Sequence, residues 1–186
     1  MPISALDAHP ALIVIDLQKG IVGRALAHPV GPVAANAAAL ADAFRARGWP
    51  VVLVNVAGGA PGRNELPKMP PPSEGWTDLI PELGAHAGDI RVTKRTWGAF
   101  GVASLDATLK GLGVTQIALA GIATSLGVES TARQAHERGY NVALAVDAMT
   151  DMNADAHVNS VTRIFPRLGE TGSTADLLAL AAARGP

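Results

Sequence analysis

The 186-residue chain contains no cysteine. Disulfides, thiolate metal ligands and a cysteine nucleophile are thereby excluded. Charge is sparse as well. Charged residues make up 17%, and 15 Lys and Arg against 16 Asp and Glu leave a formal net charge of −1. No Lys/Arg block occurs, so the basic footprint of a nucleic-acid binder is missing and no such partner is expected. Long apolar runs are absent too. The longest are about six residues, whereas a membrane-spanning helix needs roughly 20. Asp7 and His9 interrupt the start before the apolar stretch of a signal peptide develops. The expectation is a soluble cytoplasmic protein with no membrane partner.

What is present is apolar: 48% of residues, with 20 Gly and 13 Pro that follow no collagen-like period. This composition suits one well-cored globular domain over residues 1–186. Short continuous apolar runs read as buried strands: Ala11–Ile15, Val51–Val56, Gln116–Ala120 and Val142–Val146, with Ile90–Thr93 weaker. Helical spacing lies between them. Ala37, Leu40, Ala41 and Phe44 recur within Val33–Arg47, ahead of a stop at Gly48. Leu105, Leu109 and Leu112 mark a second helix closed by Gly113. Val128–Arg138 forms a third closed by Gly139, with Glu129/Arg133 and Arg133/Glu137 pairs at i, i+4. A fourth spans about Ala154 to Ile164. Ser173–Ala183 opens with a capping serine and an early aspartate. Strands alternating with helices predict an α/β fold around a parallel sheet. The Gly/Pro-rich stretch from Gly58 to Pro81 shows no period and reads as a lid, binding loop or contact segment. Trp76, near its end, stands where it could close a site.

In an open parallel sheet, ligands bind beyond the carboxyl ends of the strands. Asp16, Leu17 and Gln18 follow the first strand. Lys94 follows the strand near residue 90, with Trp97 and Phe100 close behind as candidate pocket walls. Gly121 to Val128 follows the next strand and opens a helix, offering backbone N–H groups to an anion. Asp147 ends a fifth strand. A carboxylate and an ammonium at the ends of neighbouring strands make a candidate buried pair. No Gly-x-Ser-x-Gly elbow, phosphate loop, Gly-x-Gly-x-x-Gly or His-Glu-x-x-His occurs. The histidines are scattered, and no metal site is expected.

Three segments, in this order, resemble the isochorismatase-like hydrolase family: Asp16-Leu17-Gln18; Lys94 with Gly98-Ala99-Phe100; and Gly121 through Ala132. Gly139-Tyr140 and Asp147-Ala148 complete the pattern, which covers nearly the whole chain. The resemblance implies a three-layer α-β-α, Rossmann-like domain with a six-stranded parallel sheet of order 3-2-1-4-5-6. It also implies a cis peptide before Ala123, an oxyanion hole from the N–H groups of Ala123 and residue 127, a homo-oligomer, and no cofactor. Most members are amidases with an Asp–Lys–Cys triad. Here Gly127 stands at the cysteine position, and glycine has no side chain to attack with. Ser125 and Ser130 do not occupy that position. The metal-binding Asp-x-His that one branch carries after its second strand is missing, so no zinc or iron is expected.

The resemblance to true isochorismatases, which keep Asp and Lys without the thiol, implies acid-catalysed hydrolysis of a vinyl ether. Asp16 would be the general acid. Lys94 would orient it or bind a substrate carboxylate. Gln18, Trp97, Phe100, Ile122, Ala123 and Gly127 would bind a small, anionic substrate. Burial raises the pKa of Asp16 while Lys94 lowers it, and the sequence leaves that balance open. The alternative function is a non-catalytic small-molecule binding protein that lost its nucleophile.

Overall fold

A computed structural model describes residues 3–65 and 71–184. Six strands form one parallel sheet: β1 (Pro10–Ile15), β2 (Val51–Val56), β3 (Ile90–Lys94), β4 (Gln116–Ile122), β5 (Asn141–Thr150) and β6 (Glu170–Gly172). Their order is β3-β2-β1-β4-β5-β6, the arrangement the family resemblance implies. The helices are α1 (Lys19–Val22), α2 (Val30–Arg45), α3 (Ala103–Gly111), α4 (Glu129–Glu137), α5 (Ala154–Asn159) and α6 (Thr174–Ala183).

β1 is buried along its whole length because both faces of the sheet are covered. Its side chains alternate between two apolar layers. Leu12 and Val14 pack with Ala37, Leu40 and Phe44 of α2 and Leu177 of α6. Ala11, Ile13 and Ile15 pack with Leu105 and Leu109 of α3 and Ala132 and Ala135 of α4. The helical spacing read from the sequence therefore marks the faces that meet the sheet.

Several elements differ from the sequence reading. β6 has no apolar run to announce it: Glu170, Thr171 and Gly172 are only half-buried and pair with Ala143–Ala145 at the sheet edge. β5 runs on past Val146 to Thr150 after a register shift against β4 between Leu119 and Gly121. α2 starts at Val30, with Pro32 in its first turn, where the missing N–H costs nothing. α5 passes into a wider π-type turn at Ser160–Ile164. The Gly/Pro-rich segment holds no long element among its described residues, and its centre, residues 66–70, lies outside them. Its far end is fastened, since Gln18 pairs with Leu79 in an isolated antiparallel bridge.

The chain builds β1, β2 and β3 outward, then returns to lay β4 on the other side of β1. Strand direction is unchanged, but the connections reverse sense between β1 and β4, the kind of switch point at whose carboxyl ends open parallel sheets bind ligands. Ile15 stands opposite Gly121 there. Gly121 has φ 116°, and any Cβ on it would strike the Ile15 backbone, so only glycine lets the two strands approach.

Candidate functional site

Asp16 is the first residue past β1. Its backbone is left-handed, with φ 50°, uncommon outside glycine though aspartate tolerates it better than most residues. Its N–H is held by Val54 O at 2.9 Å and its carbonyl by Gln18 N at 2.8 Å. This tight turn fixes Asp16 at the carboxyl end of β1, beside β4. Lys94, the last residue of β3, donates from Nζ to Asp16 Oδ2 at 2.7 Å. The strands are not neighbours as the sequence reading had them. β2 lies between, and the long lysine stem crosses its end.

Both partners are buried, with side-chain exposures of 2% for Lys94 and 8% for Asp16. Asp16 Oδ1 has no hydrogen-bond partner among the described residues. Burial raises the Asp16 pKa, and the charge and hydrogen bond of Lys94 lower it; burial wins, leaving the group at about 6. The carboxyl is thus poised to give and take a proton near neutrality.

Opposite Asp16 stands a π-type turn, Thr124–Val128, between β4 and α4. The peptide Ile122–Ala123 that leads into it is cis. The Ala123 carbonyl accepts from the N–H groups of Leu126 and Val128, both at 3.1 Å. Gly127 faces the carboxyl: a Cβ there would lie 3.4 Å from Asp16 Oδ2, 3.5 Å from Ile122 O and 2.8 Å from Ile15 Cγ2. The last separation is shorter than side chains tolerate, and a methyl branching from Cβ yields little. The structure thus joins Asp16, Lys94 and Gly127, with Ile122 and Ala123 immediately behind.

The other expected site residues are placed differently. Gln18 is fully buried and spends its amide on backbone: Nε2 donates to Val56 O (3.1 Å) and Trp76 O (3.3 Å), and Oε1 accepts from Val56 N (2.7 Å). It ties the end of β2 to the Trp76 segment. The Trp76 indole lies directly on Gly20. Phe100 is buried against Tyr140 at 5.7 Å, with the Arg138 guanidinium 5.1 Å over its ring. Trp97 is 63% exposed. The Ile122 side chain belongs to the apolar layer under α2. Asp147 accepts from Thr174 N at 2.7 Å and anchors the start of α6.

Two groups gained no role from the sequence. Asp151, just past β5 and 3% exposed, accepts from Ser125 N (2.7 Å) and Ser125 Oγ (2.8 Å), and from Asn153 N (3.1 Å). Ser125 is thereby tied to a carboxylate. His157 on α5 places Nδ1 2.8 Å from Thr124 Oγ1. Both contacts join residues 26 to 33 positions apart, beyond any local pattern. At the other end of the turn, Thr131 Oγ1 donates to Gly127 O at 2.7 Å and accepts from Ala99 N at 3.0 Å. Among the described residues no group of three or more His, Asp or Glu is placed to hold a metal ion. No helix among them is long and apolar enough to cross a membrane.

The fold and site define a doubly wound α/β protein with a buried carboxyl–ammonium pair at its topological switch point. Comparison with known proteins gives the class a name. The chain matches the isochorismatase domain over residues 10–176. It is 40% identical over 179 residues to the isochorismatase family protein YwoC of Bacillus subtilis (strain 168), covering 90% of this chain and 92% of that one. An isochorismatase family protein of Burkholderia thailandensis superposes with a TM-score of 0.92 at 41% identity, over 97% of this chain and 99% of the other. A ureidoacrylate amidohydrolase, RutB of Variovorax paradoxus (strain S110), is 30% identical over 83% of this chain and 74% of its own length. The chain belongs to the isochorismatase family of hydrolases.

Proposed function

We propose that the chain hydrolyses an enol ether on a small anionic molecule, with Asp16 as the proton donor and Lys94 as its partner. In the first step the Asp16 carboxyl hydrogen passes to the terminal carbon of the enol ether. The ether-bearing carbon becomes an oxocarbenium ion. Water then adds to that carbon and returns a proton to the Asp16 carboxylate. The resulting hemiketal collapses to a ketone and an alcohol, so one water is consumed and the acid is regenerated. Lys94 steadies the carboxylate between the steps and attracts an anionic substrate.

The observation that carries this reading is the Asp16 carboxyl itself: buried, raised to about 6 despite its bond to Lys94, and facing a residue with no side chain. Covalent amide hydrolysis, of the kind that needs a thiol, has no group to run on in a cysteine-free chain. The test is product formation from isochorismate, followed by NMR, with wild type beside Asp16→Ala. Turnover should fall at least about a hundredfold in the variant. Saturable binding of isochorismate without turnover would replace this reading with a non-catalytic binding protein. Equal turnover by both proteins would remove Asp16 from the chemistry.

A further inference from the structure

The Thr124–Val128 turn is held from two sides. Thr131, itself held by the Ala99 N–H, grips the Gly127 end. Asp151 and His157 grip the Thr124–Ser125 end. Three of these four groups are a hydroxyl, a backbone N–H and a carboxylate. The fourth is an imidazole.

We propose that His157 is a positioning residue: its neutral ring, docked on Thr124, keeps the turn that carries Gly127 in place against Asp16, and its protonation reverses that contact and disturbs the turn. The inference rests on the reading of Asp16 and Gly127 as facing groups of the site. His157 belongs to a small polar cluster on the far side of the turn. Its ring meets that of His28 edge-on, with centroids 4.7 Å apart and planes at 63°. Thr150 Oγ1 accepts from His28 N at 3.1 Å and lies 3.0 Å from His28 Nδ1. Both imidazoles line a cavity of about 240 Å³ with Val33, Asp147 and Met149.

The ionisable groups around His157 come from three elements. His28 precedes α2, Asp151 follows β5 and has its oxygens engaged, and Asp147 lines the same cavity while bound to Thr174. Burial lowers the His157 pKa first, the adjacent His28 lowers it further, and Asp151 raises it; the ring ends below the ordinary histidine value. A neutral ring can accept the Thr124 hydroxyl proton at Nδ1. An imidazolium can only donate there, so the Thr124 hydroxyl must turn its hydrogen elsewhere and accept instead, which changes what else that hydroxyl can bond. Protonation also sets a cation against the His28 ring. Both changes act on Thr124, one residue from Ala123 and three from Gly127.

A site built this way has opposed titrations. Asp16 must hold its proton to act as an acid, which fails as pH rises. His157 must lack one to accept from Thr124, which fails as pH drops. The rate profile should be a bell with its alkaline limb set by Asp16 and its acid limb by His157.

The experiment is a pH titration of ¹⁵N-labelled protein, read at the amide peaks of Thr124, Ser125 and Gly127, with the His157 ring followed in parallel. His157→Asn keeps an amide near the Nδ1 position but does not titrate. His157→Ala removes the contact, and Asp16→Asn removes the other titration. In wild type the Thr124 and Ser125 peaks should move with the His157 midpoint. That phase should vanish in His157→Asn and survive in Asp16→Asn. With a turnover assay in hand, His157→Ala should lower kcat about tenfold or more, and His157→Asn should restore most of it while losing the acid limb. The proposal is overturned if the turn's amides ignore His157, or if their titration persists in His157→Asn. The NMR readout needs no substrate, so it stands or falls separately from the enol-ether reading.

Discussion

Asp16 holds a proton in the folded protein that the unfolded chain has already given up. Its folded pKa is about 6 against an ordinary 3.8, so between those values the native state binds the extra proton. Stability from this group is therefore full below about pH 4 and is lost as pH rises to about 6. The shift corresponds to about 3 kcal/mol over that window. Urea unfolding of wild type and Asp16→Asn at matched pH should show a difference that changes by roughly this amount between pH 4 and 7. A constant difference would mean that Asp16 is not raised. His157 runs the other way: its depressed pKa makes stability fall as pH drops below its unfolded value. Of these residues, Asp16 and Lys94 were legible in the sequence only as a pair, because either charge alone has a bland reading as a cap or a solvated side chain. Gly127 was legible only through the ordered motif around it. Asp151 and His157 were not, because their partners on the turn lie 26 and 33 residues away.

The elements were legible where burial is two-sided and the run is long. β1, β2 and β4 and the apolar stripe of α2 follow directly from their side chains. β6 escaped because a three-residue edge strand needs no apolar signal. α1 escaped because four residues carry no period. The approach to β3 depends on a contact between elements. Arg45, in the last turn of α2, grips Asp89 with two bonds, Nε–Oδ1 at 3.0 Å and Nη2–Oδ2 at 2.9 Å. Asp89 is nearly covered, with 3% of its side chain exposed, and Oδ2 also accepts from His86 N at 2.7 Å. Asp89→Ala would leave the guanidinium without its main partner and the His86 N–H without an acceptor. The expected loss is about 3 kcal/mol in chemical denaturation. A loss within experimental error would show that α2 does not brace the entry to β3.

At the scale of the whole molecule, one sheet serves two apolar layers, and alternate residues of β1 belong to each. Neither layer can lose its helices without exposing a face of the strand that supports the other. The molecule should unfold in one step, with near-UV and far-UV circular dichroism curves that coincide. Leu12→Ala weakens one layer and Ile13→Ala the other. Each should cost about 2–5 kcal/mol without separating the curves. Curves that part in either variant would mean that the layers melt independently. The sheet order was legible only from the family pattern, because apolar runs give strands but not their neighbours.

The empty face of Gly127 reaches beyond the site itself. A carboxyl and an ammonium facing a bare glycine offer peroxide no thiol to oxidise. Thiol-seeking electrophiles such as iodoacetamide, which silence cysteine hydrolases, find no sulfhydryl in this chain. The Asp16–Lys94 pair and the Gly127 that faces them thus carry no sulfur to oxidise or alkylate.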